Sequence, residues 1–198
     1  MIEYRMRPLF QKIFVDPLAN ILKNKVNPNM ITLCSLVIGL FAAVFISVDF
    51  RTIAIILILI SGYLDILDGS LARAQNSSSA FGTMLDILSD RLVESFIIIA
   101  LYIRQPELGL IALLMMMSII ICISSFLLVG IFSENNSKKS FHYSNGLIER
   151  AETFVVFILM ILWPWGSMLI GLIFVILVLW TTVYRIYEFN KSMQKVNR

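Results

Sequence analysis

Residues 52–73 read TIAIILILISGYLDILDGSLAR, an apolar run that ends in two aspartates. A helix needs about 20 mostly apolar residues to cross a bilayer, and it satisfies its own backbone hydrogen bonds in lipid. The next run, FGTMLDILSDRLVES at residues 81–95, carries two more aspartates near its start. These stretches therefore predict two membrane helices that carry carboxylates at the ends facing each other.

The composition of the whole chain points to the same class of protein. Of its 198 residues, 59% are hydrophobic and 15% are charged, whereas a soluble domain carries about 25% charged residues. Apolar runs predict six membrane-spanning helices at about residues 31–48, 52–67, 81–103, 108–132, 148–163 and 166–187. The predicted fold is an all-α integral membrane protein, for which no nucleic-acid partner is expected.

Basic residues predict how these helices are oriented. Fourteen lysines and arginines fall in one set of connecting segments, and only Arg51 and Arg104 fall in the opposite loops. Because loops rich in Lys and Arg stay in the cytoplasm, we expect both termini and the aspartates on the cytoplasmic side of the inner cell membrane. The fourteen residues are Arg5, Arg7, Lys12, Lys23, Lys25, Arg73, Arg91, Lys138, Lys139, Arg150, Arg185, Lys191, Lys195 and Arg198.

The chain divides into an arm at residues 1–29 and a six-helix membrane domain at residues 30–198. In the arm, Asp16-Pro17 predicts the start of a helix with Asp16 as its cap, and apolar residues follow at helical spacing. Such an amphipathic helix lies in the headgroup plane with its basic residues toward anionic lipids. It can also pack over the helix bundle, and the two readings are compatible.

A break follows the arm at Asn27-Pro28. Proline disfavours the helical conformation in the residue before it, so we expect Asn27 to be extended. Asn29 or Thr32 is then expected to cap the first membrane span. These polar side chains lie at the same cytoplasmic depth as the aspartates.

The four aspartates are the costly feature of the predicted helices. An ionisable residue inside a span costs about 2.5–3.5 kcal/mol, and two arginines are too few to pair with four carboxylates. Asp65 and Asp68 are three residues apart and Asp86 and Asp90 four apart, so each pair shares one helix face. Two antiparallel helices can bring these faces together as an all-oxygen site for Mg²⁺ or Mn²⁺. Since such sites usually include a substrate phosphate, the metal predicts a phosphate-bearing ligand.

The residues between the two pairs fit a phosphate. Gly69 lets a ligand approach the backbone closely, and Ala72 keeps the next turn slim. Arg73 can fork onto a diphosphate. Gly82 lies one turn before Asp86 and leaves room beside the metals. The alternative reading of the glycines is close helix packing by small residues.

These residues form the pattern Asp65-x2-Asp68-Gly69-x2-Ala72-Arg73-x8-Gly82-x3-Asp86-x3-Asp90, which resembles the signature of the CDP-alcohol phosphotransferases. The resemblance implies a homodimer with six spans, an amphipathic N-terminal helix and a lipid-accessible cavity open to the cytoplasm. It implies two Mg²⁺ or Mn²⁺ ions held by the four aspartates, with Asp90 also acting as general base on the acceptor hydroxyl. Pro28-Asn29-x-x-Thr32 resembles the family's entry to its first span. The residues implied to bind CDP are Asn29, Thr32, Asp65, Asp68, Gly69, Ala72, Arg73 and Gly82.

A further resemblance concerns the acceptor. The stretch from Gly146 to Glu152 resembles the Gly-x-x-Glu-Arg-x-Glu segment of the phosphatidylinositol-phosphate synthases, which implies Arg150 and Arg185 as acceptor contacts. The other readings are a salt bridge of Arg150 with a neighbouring glutamate and a snorkelling Arg185.

The chain departs from those synthases at the end of its fourth span. They carry a lysine and an arginine there, whereas this chain has Leu128, Val129 and Gly130. The loop residues Lys138, Lys139 and His142 could substitute for the missing cations. Inositol phosphate, glycerol phosphate, serine and a neutral alcohol therefore all stay open as acceptors.

The predicted function is metal-dependent transfer of a substituted phosphate group from CDP-diacylglycerol, or another CDP-alcohol, to a small polar alcohol with release of CMP. It belongs to phospholipid biosynthesis. One alternative is transfer from CDP-choline or CDP-ethanolamine to diacylglycerol. An alternative of another class is an ion transporter, although transport favours acids near the middle of several spans.

Overall fold

The computed structural model describes residues 10–23, 25–132 and 150–196, and every regular element in these ranges is helical. This confirms the all-α prediction for the described residues. A π-helical turn (Gln11–Val15) leads into α1 (Asp16–Leu22). The longer helices are α2 (Pro28–Ser47), α3 (Arg51–Ala74), α4 (Ala80–Arg104), α5 (Gly109–Phe132), α6 (Arg150–Leu162) and α7 (Ser167–Val196). Predicted features outside the described residues are Arg5, Arg7, Lys138, Lys139, His142, the segment Gly146–Glu149 and Arg198.

Four segments are long and apolar enough to cross a membrane: Pro28–Ser47, Arg51–Ala74, Pro106–Phe132 and Pro164–Gln194. They make the chain a multi-pass membrane protein. Helix α4 is 25 residues long but carries four charged residues between positions 86 and 94. The described part of α6 has 13 residues. The count of six spans thus stays a prediction.

Small residues join α2, α3 and α4. The Ser35 hydroxyl donates to the Ser61 carbonyl (2.8 Å), and the Ser61 hydroxyl donates to the Ser35 carbonyl (2.9 Å). Gly39 faces α4, where an added Cβ would lie 2.6 Å from Val93 Cγ2. Small residues let helix backbones approach closely in lipid, so this contact fixes α3 and α4, the two helices that carry aspartates, against α2.

Helix α6 connects this group to the second half of the bundle. It packs against α3 and α7, and α7 packs along α5. Phe157 of α6 and Phe174 of α7 are fully buried, with ring centroids 6.2 Å apart. Residues at the start of the described part of α6 lie beside the half of α3 that carries the aspartates.

The arm packs over α3. Val15 and Ala19 are buried in a small core with Ile31, Leu67 and Leu71. Four apolar side chains of the arm stay exposed: Phe10, Ile13, Phe14 and Ile21. Docking of the arm on the bundle therefore leaves some of its apolar side chains uncovered.

Two predicted helix caps were wrong. Helix α1 begins at Asp16, as predicted, but residue 10 is already helical and the π-turn leads into α1 without a break. The N-cap is Val15, without a side-chain bond, so Asp16 is not the cap. The cap of α2 is Asn27, which is extended as predicted and accepts from the Asn29 N–H at 2.9 Å. Asn27 takes this role because its extended backbone directs its own side chain at the free N–H groups of the first turn.

Helix α3 ends in a Schellman motif. Asn76 is left-handed (φ 53°), the Ser77 N–H donates to the Ala72 carbonyl (3.0 Å), and the Asn76 N–H donates to the Arg73 carbonyl (3.1 Å). This turn satisfies the last carbonyls of α3 and leads into α4, whose N-cap Ser79 accepts from the Gly82 N–H at 3.0 Å. The two helices of the signature therefore meet at a tightly defined corner.

Candidate active site

Three of the four predicted aspartates come together near this corner. Asp65, Asp68 and Asp86 each place one carboxylate oxygen within 4.8 Å of the other two. This is an all-oxygen donor set on two rigid helices, and hard divalent cations such as Mg²⁺ and Mn²⁺ prefer such oxygen ligands. The carboxylates therefore fit the predicted Mg²⁺ or Mn²⁺ cofactor.

A side chain from α2 orients one of these carboxylates. The Thr32 hydroxyl lies 2.5 Å from Asp68 Oδ2 and 3.3 Å from the Pro28 carbonyl. A hydroxyl has one hydrogen to donate, and the shorter distance assigns it to Asp68, which is only 5% exposed. Thr32 thus supplies the kind of outer hydrogen bond that orients metal-binding carboxylates.

A cavity of about 610 Å³ lies beside the carboxylates. Seven of the eight residues predicted to bind CDP line it, the exception being Asp65; they are Asn29, Thr32, Asp68, Gly69, Ala72, Arg73 and Gly82. The linker before α2 and the corner after α3 complete the wall with Lys25, Val26, Asn27, Gln75 and Ser77–Ser79. Local sequence patterns carry little signal for this second group. Its two segments are joined by a hydrogen bond that Gln75 Nε2 donates to the Val26 carbonyl (2.9 Å).

The two signature glycines differ in their surroundings. A Cβ on Gly69 would meet Arg73 Nη1 at an ordinary 3.5 Å. A Cβ on Gly82 would crowd Asn29 Oδ1 at 3.1 Å and Ser79 Oγ at 3.2 Å. Helix packing therefore explains Gly82 in part, but it does not require a glycine at position 69, where the free space belongs to the cavity.

Asp90 is not one of the three grouped carboxylates, and an arginine links it to them. Arg150 of α6 forms ion pairs through Nη1 with both Asp65 and Asp90. Its guanidinium also lies over the Phe154 ring, 5.2 Å from the centroid. Arg150 Nε and Nη2 are buried and have no hydrogen-bond partner among the described residues. Arg150 therefore reaches the carboxylates themselves, a partner that the sequence did not suggest for it.

Arg185 lies on α7 against α5. It is 7% exposed, and its Nη1 donates to the Cys122 carbonyl (2.9 Å) and to Ser125 Oγ (3.0 Å). The guanidinium also lies over Phe126, 5.3 Å from the ring centroid. This is not the geometry of a side chain extended toward an interface, as the snorkelling alternative required. The end of α5 carries no charge at residues 124–132.

A fifth acidic side chain near the site was missed. Glu94 lies one turn beyond Asp90, is 2% exposed and forms an ion pair with Arg91 Nη1 at 2.7 Å. Its sequence signal is its spacing of four residues from Asp90 within an apolar run, which places it on the same helix face.

Comparison with known proteins gives consistent results. The family model described as CDP-alcohol phosphatidyltransferase matches residues 25–184. The inner membrane protein YnjF of Escherichia coli is 27% identical over 206 residues, covering 100% of both chains. The archaetidylinositol phosphate synthase of Pyrococcus horikoshii is 26% identical over 170 residues, 85% of this chain and 86% of that one.

Solved structures share the fold. Phosphatidylinositol phosphate synthase of Mycobacterium tuberculosis with CDP-DAG bound has a TM-score of 0.72 at 17% identity, over 89% of this chain and 93% of that chain. A second structure of the same protein, in complex with manganese and citrate, gives the same TM-score over 89% and 88% of the two chains.

Proposed function

The chain belongs to the CDP-alcohol phosphatidyltransferase family and is a transferase, and from this premise we propose that it moves a phosphatidyl group from CDP-diacylglycerol to a small polar alcohol and releases CMP. The observation that carries the proposal is the meeting of Asp65, Asp68 and Asp86 beside a cavity lined by the signature residues. The CDP-DAG bound to the M. tuberculosis synthase supports this donor.

The donor binds with its diphosphate between the carboxylates and Arg73. Arg73 lines the cavity and its planar guanidinium suits a bidentate contact with phosphate oxygens. Gly69 leaves the backbone of α3 open to the same oxygens. Mg²⁺ or Mn²⁺ held by Asp65, Asp68 and Asp86 would neutralise the diphosphate and stabilise CMP as leaving group. The polar cavity wall formed by Gln75, Ser77, Ser78 and Ser79 receives the cytidine.

Asp90 is the proposed general base. The acceptor oxygen attacks the phosphorus that bears the diacylglycerol, its proton passes to the Asp90 carboxylate, and the bond from that phosphorus to the CMP oxygen breaks. A positioned carboxylate contributes about 100- to 10,000-fold in such a step. Arg150 holds the Asp90 carboxylate in place. We also propose that Asp90 contacts the second metal ion, as the family resemblance implies.

For the acceptor we propose a phosphorylated polyol of the inositol phosphate class. Buried guanidinium nitrogens without a partner are costly, and two nitrogens of Arg150, beside Asp90, find none within the part of the chain that the structure describes. A phosphate on the acceptor would satisfy them, and the name of the P. horikoshii relative supports the same class. Arg185 is the second proposed acceptor contact. Glycerol phosphate is an alternative that is also phosphorylated. Serine and neutral alcohols are alternatives that the uncharged end of α5 at residues 128–130 favours.

The proposed topology has six spans, formed by α2 to α7, with the arm at residues 1–29 on the cytoplasmic surface. At 1.5 Å per residue the 25 residues of α4 extend over about 37 Å, enough for a bilayer. The excess of basic residues on the arm side supports cytoplasmic termini and a cytoplasmic site. The name of the E. coli relative supports an inner membrane location, and we propose a homodimer as in the family resemblance.

The test is an assay of CMP release by the purified full-length protein. Mg²⁺ or Mn²⁺ and CDP-diacylglycerol are supplied with inositol phosphate, glycerol phosphate, serine or inositol, and CDP-choline with diacylglycerol is assayed in parallel. We expect CMP with CDP-diacylglycerol and a phosphorylated acceptor, loss of CMP in EDTA, and loss in Asp86→Asn. Absence of CMP with every pair would contradict the proposal, and normal turnover in Asp90→Asn would remove the general-base role.

A further inference from the structure

Ser70 occupies a position that the signature leaves unspecified, between Gly69 and Ala72. Its hydroxyl oxygen lies 3.0 Å from Gln11 Nε2, in the π-helical turn of the arm, and 3.1 Å from Arg73 Nη2. Ser70 itself is 5% exposed. A single buried hydroxyl thus touches both the arm and the arginine of the cavity.

Hydrogen bonding fixes the direction of both contacts. An amide NH₂ and a guanidinium nitrogen can only donate, whereas a hydroxyl oxygen has two lone pairs. Ser70 Oγ therefore accepts from Gln11 and from Arg73 at once, and both lone pairs are used. An acceptor used in this way holds the Arg73 nitrogen at a defined point relative to α3.

Contacts between the arm and α3 hold Gln11 in place beside Ser70. Val15 and Ala19 are 0% and 2% exposed against α3, and the Tyr63 hydroxyl donates to the Phe14 carbonyl at 2.9 Å. The π-helical turn at Gln11–Val15 rotates Gln11 relative to a regular helix, and such turns are frequent at functional sites.

From these contacts we propose that Gln11 and Ser70 are positioning residues for donor binding: the docked arm, through Ser70, holds Arg73 ready for the diphosphate of the donor. The inference rests on the proposed function, in which Arg73 contacts that diphosphate. Arginine side chains lose much rotational freedom when they are ordered. A guanidinium that is already held loses less rotational freedom when the donor binds. We therefore expect Gln11 and Ser70 to raise the affinity for the donor and to leave the chemical step unchanged.

The test is a set of variants assayed at varied CDP-diacylglycerol and saturating acceptor. Loss of one hydrogen bond in Gln11→Ala or Ser70→Ala is expected to raise the donor KM about three- to ten-fold, while kcat and the acceptor KM stay the same. Ser70→Thr keeps the hydroxyl oxygen and is expected to restore the donor KM. Because Gln11 acts through Ser70, the double variant is expected to match Ser70→Ala alone.

Tyr63→Phe is the matched control. It removes a second side-chain hydrogen bond between α3 and the described part of the arm and leaves Ser70 in place, so its donor KM is expected to stay at the wild-type value. An equal rise in Tyr63→Phe, additive effects of Gln11→Ala and Ser70→Ala, or an unchanged KM in both would overturn the inference. If wild-type protein releases no CMP from this donor, the proposed function has failed instead. Thermal unfolding of each variant shows whether the fold is intact.

Discussion

The Thr32 hydroxyl lies 2.5 Å from Asp68 Oδ2 and so connects the first membrane helix to the face of the second that carries the proposed metal ligands. Both side chains are buried, at 4% and 5% exposure. The direction in which Asp68 presents its other oxygen is therefore set by a residue that is not itself expected to touch the metal.

Thr32→Val keeps the shape of the side chain and removes this hydrogen bond. We expect the apparent affinity for Mn²⁺ to fall about 10- to 100-fold, as for other outer partners of metal ligands. The measurement is CMP release against Mn²⁺ concentration. Thr32→Ser keeps the hydroxyl and is expected to stay near wild type. An unchanged Mn²⁺ dependence in Thr32→Val would show that Asp68 needs no such orientation.

Arg150 is expected to distinguish between classes of acceptor. In Arg150→Lys the charge near Asp65 and Asp90 remains, but the Nε and Nη2 donors are lost. We expect KM for a phosphorylated acceptor to rise about 10-fold or more, since the charge-assisted bonds are strong, with donor KM unchanged. Steady-state kinetics with inositol phosphate measures both. A rise in donor KM alone would place Arg150 on the donor side.

Two glycines form a matched pair for separating packing from function. A Cβ on Gly39 would lie 2.6 Å from Val93, whereas a Cβ on Gly69 would meet only an ordinary 3.5 Å contact. Gly39→Ala is expected to lower the free energy of unfolding by about 1–3 kcal/mol. Gly69→Ala is expected to keep wild-type stability and to raise the donor KM. Thermal unfolding measures the stability of each variant, and the kinetics of CMP release measure its donor KM. A loss of stability in Gly69→Ala would instead assign that glycine to helix packing.

The carboxylate of Asp49, in the loop between α2 and α3, is expected to make the stability of the fold depend on pH. Hydrogen bonding from Arg51 holds the pKa of its carboxyl below the ordinary value, with Arg104 adding to the effect. A lowered pKa means that the charged form stabilises the fold above the unfolded pKa, near 4, and that this contribution is lost as pH falls through the folded value.

The measurement for Asp49 is the unfolding temperature of wild type and Asp49→Asn between neutral and acidic pH. Asp49→Asn is expected to be less stable at pH 7, and the difference is expected to shrink as wild-type Asp49 becomes protonated. A difference that stays constant below pH 4 would contradict the role of this charge.

Much of the site followed from local spacing. Residues three and four apart on a helix share a face, which predicted the pairs Asp65/Asp68 and Asp86/Asp90. The antiparallel order of the two helices predicted one site for both pairs, and the structure groups Asp65, Asp68 and Asp86. What spacing could not provide is contact between distant segments. Arg150 is 85 residues from Asp65, and nothing in its neighbourhood indicates that its guanidinium turns toward that carboxylate.

The arm also makes a contact with a distant segment that local sequence patterns could not predict. Its amphipathic pattern predicted a helix, but the π-turn that rotates Gln11 has no recognisable sequence signal. The start of α1 at Asp16 was predicted, but the π-turn before it was not, so the contact of Gln11 with Ser70 was not foreseen. Glu94 was overlooked for another reason, because the signature ends at Asp90.

The reciprocal bonds between Ser35 and Ser61 bear on the order in which the helices assemble in the membrane. Each hydroxyl finds its partner within the pair, so α2 and α3 can associate as a hairpin as soon as both have entered the bilayer. Helix α4, a proposed span, carries charged residues that are costly in lipid until their ion-pair partners are present. One of those partners, Arg150, is made 60 residues after Asp90. We therefore expect α4 to take its final depth only after α6 has been synthesised.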